Sequence, residues 1–351
     1  MDTRLTALTG AAHPIVQTGM GWVAGPRLVS AAANAGALGI VGSATMTPDQ
    51  LRSAVREVKA RTAAPFGVNL RADAGDAPER VGIIIQEGVK VASFALAPSR
   101  ELIVRLKDAG VVVIPSVGAL RHAEKVAAWG ADAVLVQGGE GGGHTGRVAT
   151  TVLLPQVVDS VDIPVIAAGG FFDGRGLVAA LAYGAAGIAM GTRFLLTSDS
   201  TVPDAVKARY LAASAADIMV TTKVDGLPHR MLRSELTDSL ERSGPAAALV
   251  GALRHAASFR RLSGTSWTRL IRDGLAMKRG KELGWSQVLL AANTPMLLRA
   301  SMVEGRTDLG VMASGQAAGV IGDLPSCAEL VGRIMSEADE ALARLTGGAL
   351  R

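Results

Sequence analysis

One histidine stands among six glycines in Gln137-Gly-Gly-Glu-Gly-Gly-Gly-His-Thr-Gly146. The stretch follows the apolar run Ala131 to Val136, which reads as a buried strand. Glycine lets a backbone take conformations closed to other residues and approach a ligand closely, at an entropic cost. No packing reason calls for Gly141-Gly-Gly143 beside an imidazole, so His144 is the candidate acid–base group. An imidazole titrates near neutral pH and can take or give a proton there. The plainer alternative is a loop histidine that only caps or hydrogen-bonds.

Two more glycine clusters follow apolar runs, Ala167-Ala-Gly169-Gly170 and Met190-Gly191-Thr192-Arg193. Backbone amides at a helix start can cradle a phosphate, and in β/α barrels that cradle commonly follows the seventh and eighth strands. Either pair alone would also suit an ordinary tight turn. Gly315 and Gln316, in Ala313 to Ile321, could reach the same phosphate, though a turn-helix junction explains them as well. Gly19, Met20 and Gly21 follow the first apolar run, Asn69 ends the third and Gln137 the sixth. Their amides and exposed backbone, with Gly142 and Gly143, could face the polar edge of a flavin ring.

Eight short β-type runs must position these residues: His13–Thr18, Leu38–Gly42, Pro65–Leu70, Val91–Leu96, Val111–Ser116, Ala133–Gln137, Pro164–Ala168 and Gly187–Gly191. Most are apolar throughout, as parallel strands covered on both faces are. Helical patterns fit between them, over Arg27–Ala35, Pro48–Arg61 behind Thr47, Pro98–Ala109, Leu120–Trp129 and Arg175–Tyr183 behind Asp173. The alternation predicts an α/β fold, a (β/α)8 barrel with an additional helical lid and C-terminal helices. A doubly wound open sheet is the alternative, but its phosphate glycines cluster after the first strand. The expected division is a cofactor-binding barrel over 1–210, a lid over 211–305, and a segment over 306–351 that returns to the barrel. Within the lid, Val220–Arg233 reads as an irregular loop, and Pro245–Lys281, Leu283–Ala292 and Thr294–Val303 as helices. Ser326–Leu345 reads as a last helix.

The net charge of +5 is unevenly placed. Arg254, Arg260, Arg261, Arg269, Arg272, Lys278, Arg279 and Lys281 face one acid, Asp273, across the same stretch. That sign bias points to a local anionic partner. The phosphates of a CoA or nucleotide substrate fit, above all at Arg254, Arg260, Arg261, Arg269, Lys278 and Arg279. Nucleic acid is disfavoured, because aromatics are scarce and no binding motif accompanies the charge. One cysteine, Cys327, excludes an internal disulfide, and no cysteine or histidine pair has metal-site spacing. No signal-peptide pattern or long apolar span appears, so the chain reads as soluble and cytoplasmic.

The chain resembles the nitronate monooxygenase family, formerly 2-nitropropane dioxygenases, which also embraces FMN-dependent enoyl-thioester reductases. Pro14-Ile-Val-Gln17, Pro65-Phe-Gly-Val-Asn69, the His144 loop, Ala168-Gly-Gly170, Met190-Gly-Thr-Arg-Phe194 and Gly315-Gln316 carry the resemblance over nearly its whole length. It implies a barrel binding FMN without a covalent link, with His144 on the substrate side of the ring. Thr18-Gly-Met-Gly-Trp22 and the displacement of an arginine to Arg147 depart from the usual nitronate pattern. Together with the basic segment, they are more similar to a branch that dehydrogenates a hydrindane CoA thioester in steroid breakdown. The resemblance therefore implies a hydroxylated acyl-CoA substrate, with NAD as one candidate for the second electron acceptor. A homodimer is compatible with the large barrel. Three other activities stand beside this one. They are oxidation of alkyl nitronates with oxygen, NADH-dependent reduction of an enoyl thioester, and, outside enzymology, binding of an anionic polymer.

Overall fold

In a computed structural model, which describes residues 1–95, 98–242 and 285–347, eight parallel strands close into a barrel. They are β1 (Ile15–Gln17), β2 (Leu38–Gly42), β3 (Phe66–Arg71), β4 (Val91–Ala95), β5 (Val112–Val117), β6 (Val134–Gln137), β8 (Val165–Ala168) and β9 (Gly187–Met190). β9 returns to β1 through the register Val16 to Ala189, which completes the ring. All eight runs expected from sequence are present, and the open-sheet alternative is excluded. Short apolar and β-branched side chains fill the barrel interior, among them Val16, Ile40, Val91, Ile114, Leu135 and Ile166. Leu5, on the N-terminal helix α1 (Arg4–Thr9), belongs to the same cluster.

The covering helices follow the expected order. α2 (Pro26–Asn34) and α3 (Pro48–Arg61) begin with proline in the first turn, and α3 carries a full capping box between Thr47 and Gln50. α4 (Ala77–Gln86), α5 (Arg100–Asp108), α6 (Leu120–Ala128), α7 (Thr150–Val158) and α8 (Gly174–Ala182) follow their strands. Two short helices, α9 (Thr192–Leu195) and α10 (Asp204–Leu211), complete the eighth unit. Helices α4 and α7 were absent from the sequence reading. α4 carries Gly82 in its interior, and α7 opens with the three β-branched residues Thr150, Thr151 and Val152 and holds Pro155 further along.

Beyond residue 211 the reading needs correction. Val220–Arg233 is no irregular loop. It contributes to an antiparallel pair, β10 (Ile218–Thr221) and β11 (His229–Leu232). Gly226 and Pro228 masked this pair, because they belong to the turn between the strands. The expected helices Leu283–Ala292 and Thr294–Val303 are one helix, Trp285–Met302, with Pro295 inside it. After α11 (Glu235–Arg242) we number this helix α12. A proline removes a single i to i−4 bond, and the axis can continue where the flanks are packed. Leu297 and Met302 are both buried. The basic run Arg254–Lys281, with every residue proposed for CoA phosphates, lies outside the described residues. Among the described residues no helix is long and apolar enough to cross a membrane.

The last helix, α13 (Cys327–Thr346), packs against α8 and α2. Leu330, Val331, Ile334 and Ala338 are buried on it. Each large aliphatic side chain contributes about 1.5–3 kcal/mol on burial. That outweighs the half-exposed Arg333–Asp323 pair, of a kind worth about 0–1 kcal/mol. Gly174 permits the approach, since a Cβ there would lie 2.3 Å from the carbonyl oxygen of Ile334. Cys327 is fully buried at the start of α13, and burial and Asp199 push its thiol up to about 12. The native protein should therefore leave Cys327 unlabelled by a disulfide reagent at pH 8 over an hour, while the denatured chain reacts at once. Labelling of the native form at the denatured rate would show that α13 is not docked.

Candidate active site

The loop after β6 is held from outside the barrel. Gly143–His144 forms a two-residue strand, β7, which pairs antiparallel with β11 through His144 to His229 and Gly143 to Arg230. Farther along the same edge of β11, β12 (Met312–Ala313) pairs with Met231 and Leu232. The amide of Thr145 donates to Pro228 O at 3.1 Å and that of Ser314 to Arg230 O at 3.2 Å. The guanidinium of Arg230 donates twice to Gly139 O, at 2.7 and 3.2 Å. Glu140 reaches the start of α7, where its Oε2 accepts from the amide and hydroxyl of Thr150 at 2.9 and 2.7 Å. Gly143 itself sits at φ +72°, so the backbone turns there as few other residues would allow.

This clamp delivers His144 to a buried carboxylate. His144 Nε2 lies 2.7 Å from Asp225 Oδ2, and His229 Nδ1 lies 3.3 Å from the same oxygen. The two rings are 4.7 Å apart and tilted by 42°. Asp225 and His229 are buried, whereas the side chain of His144 is 55% exposed. Leu227 N donates to Asp225 Oδ1 at 3.2 Å and Thr294 Oγ1 to Oδ2 at 3.4 Å. Burial alone would raise the carboxyl pKa. The hydrogen bonds from His144 and His229 hold it well below the usual carboxylate range instead. Asp225 is therefore a fixed negative charge at neutral pH.

These three groups could also offer a cation three ligand atoms within 4.8 Å of one another. Ligands at about 2.0–2.1 Å around a tetrahedral zinc would stand roughly 3.3 Å apart. The 2.7 Å contact is instead that of a charge-assisted hydrogen bond.

The glycines expected to bind a cofactor converge beside His144. β6, β8 and β9 are neighbours, so their C-terminal loops share one sector of the rim. Cβ atoms built on Gly142 and Gly169 would lie 2.6 Å from Gly315 N and 3.1 Å from Gly141 N. Gly169 and Gly170 have φ of +101° and +86°. Gly315 N donates to Thr192 Oγ1 at 2.9 Å, and Gln316 N to Glu140 O at 3.0 Å. Neither α9, preceded by Gly191, nor the 3-10 turn Gln316–Val320, preceded by Gly315, has a side-chain cap. The amides of Gly315 and Gln316 are engaged in those two bonds, which leaves the uncapped start of α9, beside Gly169 and Gly170, to fit a phosphate. By contrast, α8 is closed to an anion, because Asp173 and Glu337 already accept from its first amides.

Across the mouth, Gly19 packs on Asn69, where a Cβ would come within 2.4 Å of the asparagine Cβ. Met20 Sδ lies 3.3 Å from the position of a Cβ on Gly191, and Gly21 lies against Thr45. Asn69 Nδ2 donates to Ser93 Oγ at 3.2 Å. Gln137 also braces the loop, since its Nε2 donates to His144 O at 2.8 Å. Gln17 is fully buried at the end of β1, and its Oε1 is without a partner among the described residues. Arg193, from the same motif as Gly191 and Thr192, turns away from the cradle and donates to Asp323 Oδ1 at 2.8 Å. Trp22 holds φ +65°, and its indole donates to Pro295 O of α12 at 2.8 Å. Sequence reasoning missed Asp225, His229 and Arg230. An aspartate and a histidine four residues apart, flanking a glycine-proline turn, were the available signal.

The sequence model of the nitronate monooxygenase family matches residues 2–337. A Mycobacterium tuberculosis protein named (3aS,4S,5R,7aS)-5-hydroxy-7a-methyl-1-oxo-octahydro-1H-indene-4-carboxyl-CoA dehydrogenase is 67% identical over 96% of each chain. A Rhodococcus jostii protein of the same name is 62% identical over 100% of this chain and 99% of its own. The solved structure of FabK from Thermotoga maritima is 36% identical, with a TM-score of 0.79 over 99% of both chains.

Substitution Gly142→Ala tests the cradle. Its Cβ would meet backbone at 2.6 and 2.7 Å, so we expect a loss of about 1–3 kcal/mol in unfolding free energy and a fall in bound flavin. Gly332→Ala, in open space on α13, should keep its flavin and gain up to about 1 kcal/mol. Equal flavin content in the two variants would count against the cradle.

Proposed function

Because the chain belongs to the nitronate monooxygenase family, we propose that it is an FMN-dependent dehydrogenase of a hydroxylated hydrindane CoA thioester from steroid-ring breakdown. The observation that carries the reading is the placement of His144. Its ring is exposed at the barrel mouth, beside a glycine cradle, with an ionised carboxylate behind it. The names of the two relatives supply the substrate class.

Gly169, Gly170, Gly191 and Thr192 would hold the phosphate of FMN, with Gly315 and Gln316 as the wall beside them. Gly19, Met20, Gly21, Asn69, Gly142 and Gly143 would face its ring. Bound there, the flavin supplies a hydride acceptor. His144 takes the proton that the oxidation releases, either from the substrate hydroxyl or from the carbon beside the thioester carbonyl. The hydride leaves the adjacent carbon, so that a ketone or a conjugated double bond results. The segment 211–305 would cover the substrate and exclude water, and its basic run would bind the CoA phosphates. NAD is one candidate for the final electron acceptor.

A nitronate arrives already anionic and needs little from a base, so a site built around a charge-backed imidazole suits the thioester better. The test is anaerobic. Bleaching of the flavin band by a hydroxylated hydrindane CoA thioester, and not by an alkyl nitronate, is the expected result. Bleaching by the nitronate alone would overturn the proposal. His144→Ala should retain the flavin band while losing at least about 100-fold in the rate of bleaching, the lower end of what a positioned base contributes. Full turnover in that variant would remove His144 from the mechanism.

A further inference from the structure

We propose that Asp225 and His229 are positioning residues that fix which nitrogen of His144 receives the substrate proton. This rests on the reading of His144 as the base. Ionised Asp225 is an acceptor only, so both ring nitrogens that face it must carry hydrogen. His144 Nε2, at 2.7 Å, is then the donor, and neutral His144 keeps its lone pair on Nδ1. The base of the reaction is therefore Nδ1, and Nε2 is committed to holding the ring.

The carboxylate is itself immobilised. Oδ1 is held by the Leu227 amide, while Thr294 and His229 share Oδ2 with His144. His229 cannot drift, because its backbone is paired with His144 across β7 and β11 and its side chain is buried. Its ring, 4.7 Å away, forms one wall for the His144 imidazole. The far nitrogen of His229, Nε2, is buried with no partner among the described residues. A hydrogen placed there would be a donor without an acceptor, which is costly in a buried place. Among the described residues the chain of groups therefore ends at His229. A proton taken by His144 does not pass inward through Asp225. It leaves from Nδ1, the nitrogen that Asp225 does not hold.

The arrangement has the logic of a histidine oriented by a buried aspartate in acyl-transfer enzymes, where the carboxylate selects the tautomer and stabilises the imidazolium. Here it serves proton abstraction before hydride transfer. The donors differ as well, since a second, buried histidine shares the orienting oxygen.

Nitrogen-15 NMR of His144 in the wild-type holoenzyme, assigned by comparison with His144→Ala, should show the hydrogen on Nε2. Hydrogen on Nδ1 would overturn the proposal with no variant needed. In Asp225→Asn holoenzyme, anaerobic flavin reduction by the CoA thioester should slow at least 100-fold. KM should stay within threefold and the flavin spectrum should not change. Reduction within threefold of wild type would overturn it. His229→Asn keeps a donor near the position of Nδ1 and should stay within fivefold of wild type, whereas His229→Leu should lose tenfold or more. Equal rates in those two variants would overturn the part assigned to His229. If His144→Ala is inactive while Asp225→Asn is fully active, the base stands and only its positioning falls. If His144→Ala is active, the functional reading itself has failed.

Discussion

The short antiparallel pairing of Gly143–His144 with His229–Arg230 is the constraint on which the site depends. A loop of six glycines has little conformational preference of its own, and ordering it costs entropy that glycine side chains cannot repay. The hairpin β10–β11 supplies the missing order. It gives backbone partners to His144 and Thr145, and Arg230 fixes Gly139 from the side. The same turn carries Asp225. One element thus holds both the imidazole and the carboxylate that orients it. The barrel supplies the platform, and the segment after it supplies the geometry.

The glycine cradle obeys a second constraint, close approach of backbones. Gly142 against Gly315, Gly169 against Gly141, and Gly315 against Thr192 are contacts with no room for a Cβ or barely enough. They draw together the ends of β6, β8 and β9 and the start of the C-terminal segment. That segment is locked by apolar burial on α13 and by buried Arg193 on Asp323. Gly315 therefore stands beside the barrel loops partly through contacts made by other residues of the C-terminal segment.

Much of this was legible in the residues. The eight strands could be read because parallel barrel strands are apolar on both faces and short, and glycines mark their C-terminal ends. His144, Gly142, Gly169, Gly170, Gly191 and Gly315 could be singled out for a related reason, since glycine in such number implies a backbone that something approaches. The pairing of His144 with His229 was hidden, because it joins residues 85 positions apart through two strands of two and four residues. Too few residues are involved for any alternation to show. Asp225 was hidden by its turn, where aspartate is common for purely local reasons. The role of Gln137 was hidden by its position at a strand end, where an amide can serve a ligand or its own loop equally well.

Trp22 gives the fold a temporal order. A tryptophan at φ +65° is held in a conformation that costs about 1–2 kcal/mol, and its indole finds its hydrogen-bond partner at Pro295 O. During synthesis the turn after β1 emerges early, while that carbonyl emerges 273 residues later. At about 5–20 residues per second, the rim around Met20 and Gly21 waits roughly 14 to 55 seconds for the group that closes it. The first rim loop to be made is thus among the last to be finished. A nascent barrel has its strands well before it has a completed mouth.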